Sequence, residues 1–556
     1  MTDYRAMTAH SLMLEVNTLL TSTGDMERLR RAGHKFSNAL YRKARILHNH
    51  KGPVPAATVG KPAIASTLPP EVKAQAGGRV KAPDHFREQA KGKRFILTSA
   101  QNNTKVHAGF WKALNRMADK VGAQIMVSRF SYNKNGWGGV TKDSKTNAAG
   151  DELWYDPAII PYVQNDQIKL ARDFVFCAEL DILPTAKDPL SGLENYTATN
   201  SAAVPHAKVH MHSMAGLLSG QPQRFMYTTG TCTLRNYIER RAGQIASYHH
   251  VYGALYLEID NDGDWFARQI NANDDGSFFD LNSWYGPNSL EPYLPNGPAK
   301  IINLGDIHAE KMDPVAFKGA MDFVRYIKPS HIAIHDLLDF EARNHHNIKD
   351  PFFRADQHFN GMNTVEGNIK HAVTLLEEIG RNSGAELLLV RSNHDMAFMR
   401  WLKEAMINDD PANSKYYHRM MYLMFEGIEQ GVMRDMYEIA LLEAADALDM
   451  NVDKWVHIKE DDSYVLHEIE LGLHGHLGPN GAKGSPKGYR QLGRKLNTGH
   501  THSAGIIDGV WTAGVLASLN MGYNKGPSSW SQSHILTHEN GKRQMITQRG
   551  EKWRAV

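Results

Sequence analysis

The stretch "AKIINLGDIHAE", residues 299–310, is an apolar run that ends on Asp306 and His308. Side chains of a strand alternate between its two faces, so positions two apart leave the strand end on the same side. A buried strand finishing in a carboxylate and an imidazole raises the question of further ligands elsewhere. Downstream, Asp313-Pro314 reads as a helix start, because Asp accepts orphan amides and Pro suits the first turn. Phe317, Ala320, Met321, Val324 and Ile327 form the apolar stripe of that helix and Pro329 stops it.

The same arrangement recurs along the chain. "HIAIHDLLDF" (331–340) is a strand that delivers Asp336 and Asp339. The helix "IKHAVTLLEEIG" precedes the strand "ELLLV", which runs into "RSNHD" with Asn393, His394 and Asp395. A helical insertion over roughly 396–450 follows. "YVLHEIELGLHGH" (464–476) reads as a strand terminating at His474, with His476 an alternative ligand. "LNTGHTHSAGI" (496–506) supplies His500 and His502 between two glycines. Five strand ends thus present Asp/His, Asp, Asn-His, His and His-x-His in order, and ligand sites of α/β sheets gather at the carboxyl ends of strands. A metal site is expected.

The bulk of the chain sets the frame. Its 556 residues are 42% hydrophobic, which predicts a globular protein of several domains. There is no run of 18 apolar residues, so no membrane span is expected. The start lacks a basic then apolar leader pattern, so no secretory signal is expected either. Two cysteines, Cys177 and Cys232, argue against a disulfide framework or thiolate zinc and predict a cytoplasmic location. Residues 1–94 carry 17 Lys/Arg and 7 Asp/Glu, a net +10 against +3 for the whole chain, which leaves −7 on the remainder. A basic region on a mildly acidic body points to a polyanion, nucleic acid first.

Four segments are expected. Residues 1–50 form a basic helical region, in which "MERLRRAGHKFSNALYRKARIL" suits either a helix-turn-helix-like grip on phosphates or a solvated helix packed on its neighbour. Residues 51–92 are a Pro/Ala/Gly/Lys-rich linker or arm. Residues 93–295 form an α/β domain without a role legible in sequence. It opens with the β-α-β pattern "KRFILTSA", "HAGFWKALNRMADKVGA", "QIMVSRF" and contains a hairpin turning at Asp262-Gly263. There His210 and His212 in "KVHMHSM" read as strand alternation rather than as ligands. Residues 296–556 hold the metal site.

The series "GDIH", "HDLLD", "SNHD", "LHGH" and "GHTH" resembles the calcineurin-like metallophosphoesterases, over residues 296–556. The resemblance implies a β-sandwich flanked by helices and a pair of divalent ions. One ion would take Asp306, His308, Asp336 and His502, the other Asp336, Asn393, His474 and His500, with Asp336 shared. His394 would be the catalytic histidine and Asp339 the acid that orients it. The series departs from the family where His335 replaces the glycine of "GD", and where Ser392 replaces the glycine before "NHD". Asp339 stands where the break-repair nuclease branch usually has histidine.

Carboxylate, amide and imidazole ligands without thiolate suit Mn, Fe or Zn, with Mn first by the resemblance and Mg also admissible. Two divalent ions bring about +4, and two aspartates with a bridging hydroxide leave roughly +1, enough to seat a phosphodiester. The hydroxide would be the attacking group, so no serine or cysteine is needed.

The expected activity is a two-metal DNA nuclease, similar to phage-encoded members that degrade host DNA, acting in the host cytoplasm. The alternative is a small-substrate phosphatase or cyclic-nucleotide phosphodiesterase. The basic start favours DNA. So do two stretches placed near the metals: "GPNGAKGSPKGYRQLGRK" (478–495), with Lys483, Lys487, Arg490, Arg494 and Lys495, and "EARNHHNIKDPFFR" (341–354), with Arg343, His345 and His346. Lys483, Lys487, Arg490, Arg343 and His345 are the candidate substrate contacts. DNA is the expected partner, no membrane is, and homo-oligomerisation stays open.

Overall fold

The computed structural model describes residues 93–132, 154–216, 223–288, 290–291, 300–344 and 349–555. The basic helical region expected over 1–50, the arm over 51–92, and His345 and His346 lie outside the described residues. The fold is mixed α/β, and the described part falls within one unit, Arg79–Val556.

The apolar strands of the second half assemble one six-stranded sheet, in the order Trp455–Ile458, Glu386–Val390, His331–His335, Ile301–Asn303, Ser533–Thr537, Arg543–Thr547. The first four run parallel and the last two antiparallel. Parallel strands are buried on both faces, which is why these segments read as continuous apolar runs. Alternation then divides them. Ile302, Ile332, Ile334, Leu387 and Leu389 pack among the helices Pro314–Ile327 and Val365–Ser383, in a cluster with Phe323, Val324, Ile369 and Leu376. Ile301, Ala333, Leu388 and Val390 face the other way and meet Ile469 and Leu471 of a second sheet.

The helix starting at Asp313-Pro314 forms as expected. The Asp313 carboxylate accepts from the amides of Val315 and Ala316, and Phe317, Ala320, Met321, Val324 and Ile327 are buried. The insertion is three helices, Asp395–Glu404, Pro411–Glu429 and Met436–Ala447.

"YVLHEIELGLHGH" is not one strand. Val465–Leu466 and Ile469–Glu470 pair as a tight hairpin, with His467 and Glu468 both left-handed at φ 49° and 64°. Two consecutive positive φ values are what a two-residue turn needs to match strand twist. Its alternating apolar residues look the same in sequence whether the strand continues or folds back.

The second sheet has ten strands and crosses the expected 295/296 boundary. Lys495–Thr498, Val510–Thr512 and Gly505–Ile507 continue through Met211–Met214 into Arg224–Thr228, Ser201–Val204, Phe174–Cys177 and Gln167–Ala171. His212 pairs with Gly505 at the junction. The β-α-β unit expected at 93–130 is present: Arg94–Gln101 and Ala123–Phe130 are parallel neighbours, joined by the helix Ala108–Val121. The expected hairpin pairs Gly253–Ile259 with Trp265–Asn271, and Gly263 takes φ +85°. This four-stranded sheet is tied to the last strand of the chain by Gln269, whose carbonyl accepts from Gln544 and whose side chain accepts from the Met545 amide. The three carboxylates of its turn, Asp260, Asp262 and Asp264, gather around the ammonium of Lys552.

Candidate metal centre

Residues that leave the strand ends stay paired beyond the strands. The amides of Ile307, His308 and Ala309 donate to the carbonyls of His335, Asp336 and Leu337. The backbone of Asp306 is clamped by Gly514 and Leu516. In this setting His308, Asp336, His500 and His502 all take left-handed φ, at 45°, 44°, 73° and 57°. Left-handed non-glycine residues cost about 1–3 kcal/mol each and cluster where function demands a fixed side-chain direction.

The chain brings Asp306, His308, Asp336 and His502 into one group and Asp336, His474 and His500 into another, each with its ligand atoms within 4.8 Å of one another. Asp336 belongs to both. Its Oδ2 lies 3.2 Å from His474 Nε2 and 3.5 Å from His308 Nε2. Asp306 Oδ2 lies 3.2 Å from His502 Nε2 and accepts the His500 amide at 2.7 Å. Asn393 follows the neighbouring strand, and its Oδ1 is buried without a hydrogen-bond partner. Asp306 Oδ1, both oxygens of Asp336 and both ring nitrogens of His474 are likewise buried with no well-formed hydrogen bond among the described residues, the charge contact between Asp336 and His474 aside. Unpaired buried acceptors on this scale are costly, and a cation bound among them would remove the cost. The residues therefore fit divalent ions held by oxygen and nitrogen donors.

Electrostatics follow the same logic. Burial disfavours charge on Asp336, but His474, His394 and His308 outweigh it and hold its carboxyl well below the usual range. Burial also disfavours charge on His308, but Asp336, Asp339 and Asp306 push it up to about 9. His474 is raised against burial by the same two metal-site carboxylates, Asp336 foremost.

Asp339 serves two imidazoles. Its Oδ1 is 3.1 Å from His308 Nδ1 and 3.5 Å from His394 Nδ1, while its backbone carbonyl accepts from His394 Nδ1 at 3.2 Å. The hydrogen bond of its carboxylate therefore goes to His308, and its main chain fixes His394. The His308 and His394 rings meet edge to face at 4.7 Å.

His474 rather than His476 lies in the cluster, since His476 Nε2 is bonded to Glu460 Oε1 at 3.1 Å. His335, the departure from glycine, is fully buried behind the site, and burial, aided by His474, lowers it to about 4. It packs against Gly499, where a Cβ would stand 3.2 Å from the His335 Cβ and 2.0 Å from Asp306 Oδ1.

Some supporting residues escaped the sequence reading. Asp395 accepts from the Leu338 amide and from Tyr437, and bonds Ser392, so it ties the "NHD" turn to the loop carrying Asp336 and Asp339. It closes the Ser392-Asn393-His394-Asp395 turn but carries no ligand role there. Glu310, half-buried and close to Asp339, is raised to about 7 by desolvation and accepts the Asp339 amide. Trp530 lies edge to face on His502 at 4.3 Å, with Tyr523 5.9 Å from Trp530. No periodic signal marks these aromatics, which sit in an irregular segment.

Protein A1 of Escherichia phage T5 is 40% identical to this chain over 497 residues, spanning 87% of this chain and 86% of its own length. The chain belongs to the protein A1 family. An alignment of that length reaches well beyond residues 296–556, so the relationship to protein A1 includes the first half. No family model matches the chain. A solved structure superposes on 45% of this chain and 99% of its own, at 11% identity and a TM-score of 0.24, too low for a fold argument. No described helix is long and apolar enough to cross a membrane.

The expected substrate contacts fare unequally in this member of the protein A1 family. Arg343 is buried, its guanidinium spent on Asp410 and the Ala342 carbonyl, so it anchors the fold rather than facing a substrate. Arg490 is paired with Asp508 at 3.2 Å. Arg494 and Lys495 lie against Glu470 and Glu468. Lys483 and Lys487 are exposed. The 478–495 segment is ordered by Tyr489, which is buried and donates to the Leu477 carbonyl.

Proposed function

We propose that this chain is a two-metal phosphodiesterase of the calcineurin-like metallophosphoesterase type that cuts DNA. The observation that carries the reading is Asp336, one carboxylate common to two ligand groups. Structural sites close their shell around a single ion, whereas a shared carboxylate suits a catalytic pair. Asp306, His308, Asp336 and His502 would hold one ion, and Asp336, Asn393, His474 and His500 the other. When bound, such ions neutralise a phosphodiester and lower the pKa of water, and Mn is the first candidate.

The chain's own residues would do the rest. His394 has its Nδ1 committed to Asp339, which leaves Nε2 to hand a proton to the departing oxygen. Asp339 also holds His308 in one tautomer. Tyr523, half-exposed near Trp530, offers a surface on which a base can stack. Lys483 and Lys487, both exposed, would contact backbone phosphates. The phage-encoded relative fits a phage-related function, and degradation of host DNA is the role proposed within it.

The test is supercoiled plasmid incubated with Mn and the full chain. Nicking or degradation is expected, falling by roughly 10²–10⁴-fold in His394→Ala while metal content is unchanged. Intact plasmid alongside hydrolysis of a small phosphomonoester would replace the nuclease with a phosphatase. Hydrolysis of neither would overturn the enzyme reading.

A further inference from the structure

A third group of potential ligands lies away from this centre, and it includes the pair of histidines that the sequence assigns to mere strand alternation. Asp188, His210 and His212 bring one ligand atom each within 4.8 Å of one another. Asp188 Oδ1 is 3.9 Å from His210 Nε2 and 4.0 Å from His212 Nε2. His210 and His212 flank Met211 at the start of the strand Met211–Met214, so both rings leave the same face.

His210 is 1% exposed, and among the described residues neither of its ring nitrogens has a hydrogen-bond partner. Two other buried histidines of the same region show how the fold treats an ordinary core imidazole. His206 accepts the Lys208 amide at Nδ1 and meets the Leu183 carbonyl at Nε2. His250 contacts the Tyr237 hydroxyl at Nδ1 and the Thr233 carbonyl at Nε2. A neutral imidazole always carries one N–H donor and one acceptor, and burying both unsatisfied is costly. His210 is therefore the exception that calls for a ligand.

The backbone around it is firmly set. The His210 amide donates to Thr228 Oγ1 and its carbonyl accepts from the Thr228 amide. Asp188 is positioned by Leu190, whose side chain is buried with Ala202, Val204 and Met226 and whose amide donates to Asp188 Oδ1. The nearby cation Lys208 is neutralised by Asp508 at 2.6 Å, so two neutral imidazoles and one carboxylate leave the group with a negative charge.

We propose that Asp188, His210 and His212 bind a single divalent transition ion, zinc in the first place, separate from the paired centre. Two imidazoles and one carboxylate are a zinc donor set with Zn–N and Zn–O near 2.0–2.2 Å, and the separations from Asp188 to the two imidazoles need contract by only about half an ångström to meet it. Asp188 and His212 are partly exposed, at 30% and 25%, so water reaches the remaining position. The ion pins the irregular segment between Phe174–Cys177 and Ser201–Val204 onto the strand Met211–Met214. That strand pairs with Gly505–Ile507, just beyond His502, so the ion also braces the sheet beside the "GHTH" turn.

The experiment equilibrates the full chain with zinc chloride, removes free metal by gel filtration and counts ions per chain by mass spectrometry. Asp188→Asn and His212→Asn, at half-exposed positions, are compared with the wild type, with circular dichroism confirming the fold. Each variant is expected to hold one ion fewer. The same pair of measurements in an Asp336→Ala background is expected to show the same difference of one, which separates this site from the paired centre whatever that centre retains. Equal ion counts in the wild type and both variants would overturn the proposal.

Discussion

His308 and His502 are 194 residues apart in the chain and bring their Nε2 atoms to 3.0 Å. One leaves the six-stranded sheet and the other the ten-stranded sheet. Two imidazole lone pairs at that distance repel unless a proton or a cation lies between them. With Asp306 and Asp336 beside them, a cation is the better partner, and the centre exists only when the two sheets pack.

Asp336 is common to both potential ligand groups, so its loss strikes both. On the proposed two-metal reading, Asp336→Ala is expected to lose at least one ion together with phosphodiester hydrolysis. Metal counting by mass spectrometry checks this, and retention of both ions at full occupancy would refute the bridging assignment.

Asp339 acts through His308. Asp339→Asn replaces the carboxylate facing His308 Nδ1 with a neutral amide, and removal of such a supporting partner typically costs about 10–100-fold in metal affinity or activity. Competition titration with a metal-binding dye reads the affinity. An unchanged affinity would confine Asp339 to the positioning of His394.

Gly499 has no room for a side chain. In Gly499→Ala the new methyl would collide with Asp306 Oδ1 and press on His335, both of them immobile in the core. The variant is expected to fold less stably and to bind metal more weakly than Gly505→Ala, where the nearest atom is 3.5 Å away. Equal behaviour of the two variants would contradict the close approach.

Buried neutral histidines make the fold acid-sensitive. Burial lowers His206 to about 4, His250 to about 3 and His538 to about 4, from an ordinary 6.5. Below pH 6.5 the unfolded chain takes up protons that the folded chain refuses, so unfolding is favoured. The stabilisation is complete above 6.5 and declines as pH falls towards 4. The urea midpoint is expected to drop between about pH 7 and about pH 5, and a constant midpoint would contradict it.

Legible in the sequence alone were the buried runs that lead into Asp306, Asp336 and the His500/His502 turn, the helix begun by Asp313-Pro314, the β-α-β unit at 93–130, and six candidate ligands that the fold brings together, Asp306, His308, Asp336, His474, His500 and His502. Each of these is a local matter: period-two alternation, a capping residue, or a carboxylate or imidazole two positions past a buried run. Tertiary structure alone decided the rest. The hairpin at His467-Glu468 and the ten-stranded sheet joining both halves depend on which strand edges meet, which no local pattern encodes. Whether a polar side chain serves the site or the scaffold depends on its partner: Asp410 takes Arg343 away from any substrate, Asp339 gives its carboxylate to His308, and no described residue satisfies the His210 ring. Charge and hydrogen-bonding capacity are written in each residue, but where they are spent is settled by neighbours a hundred or more positions away.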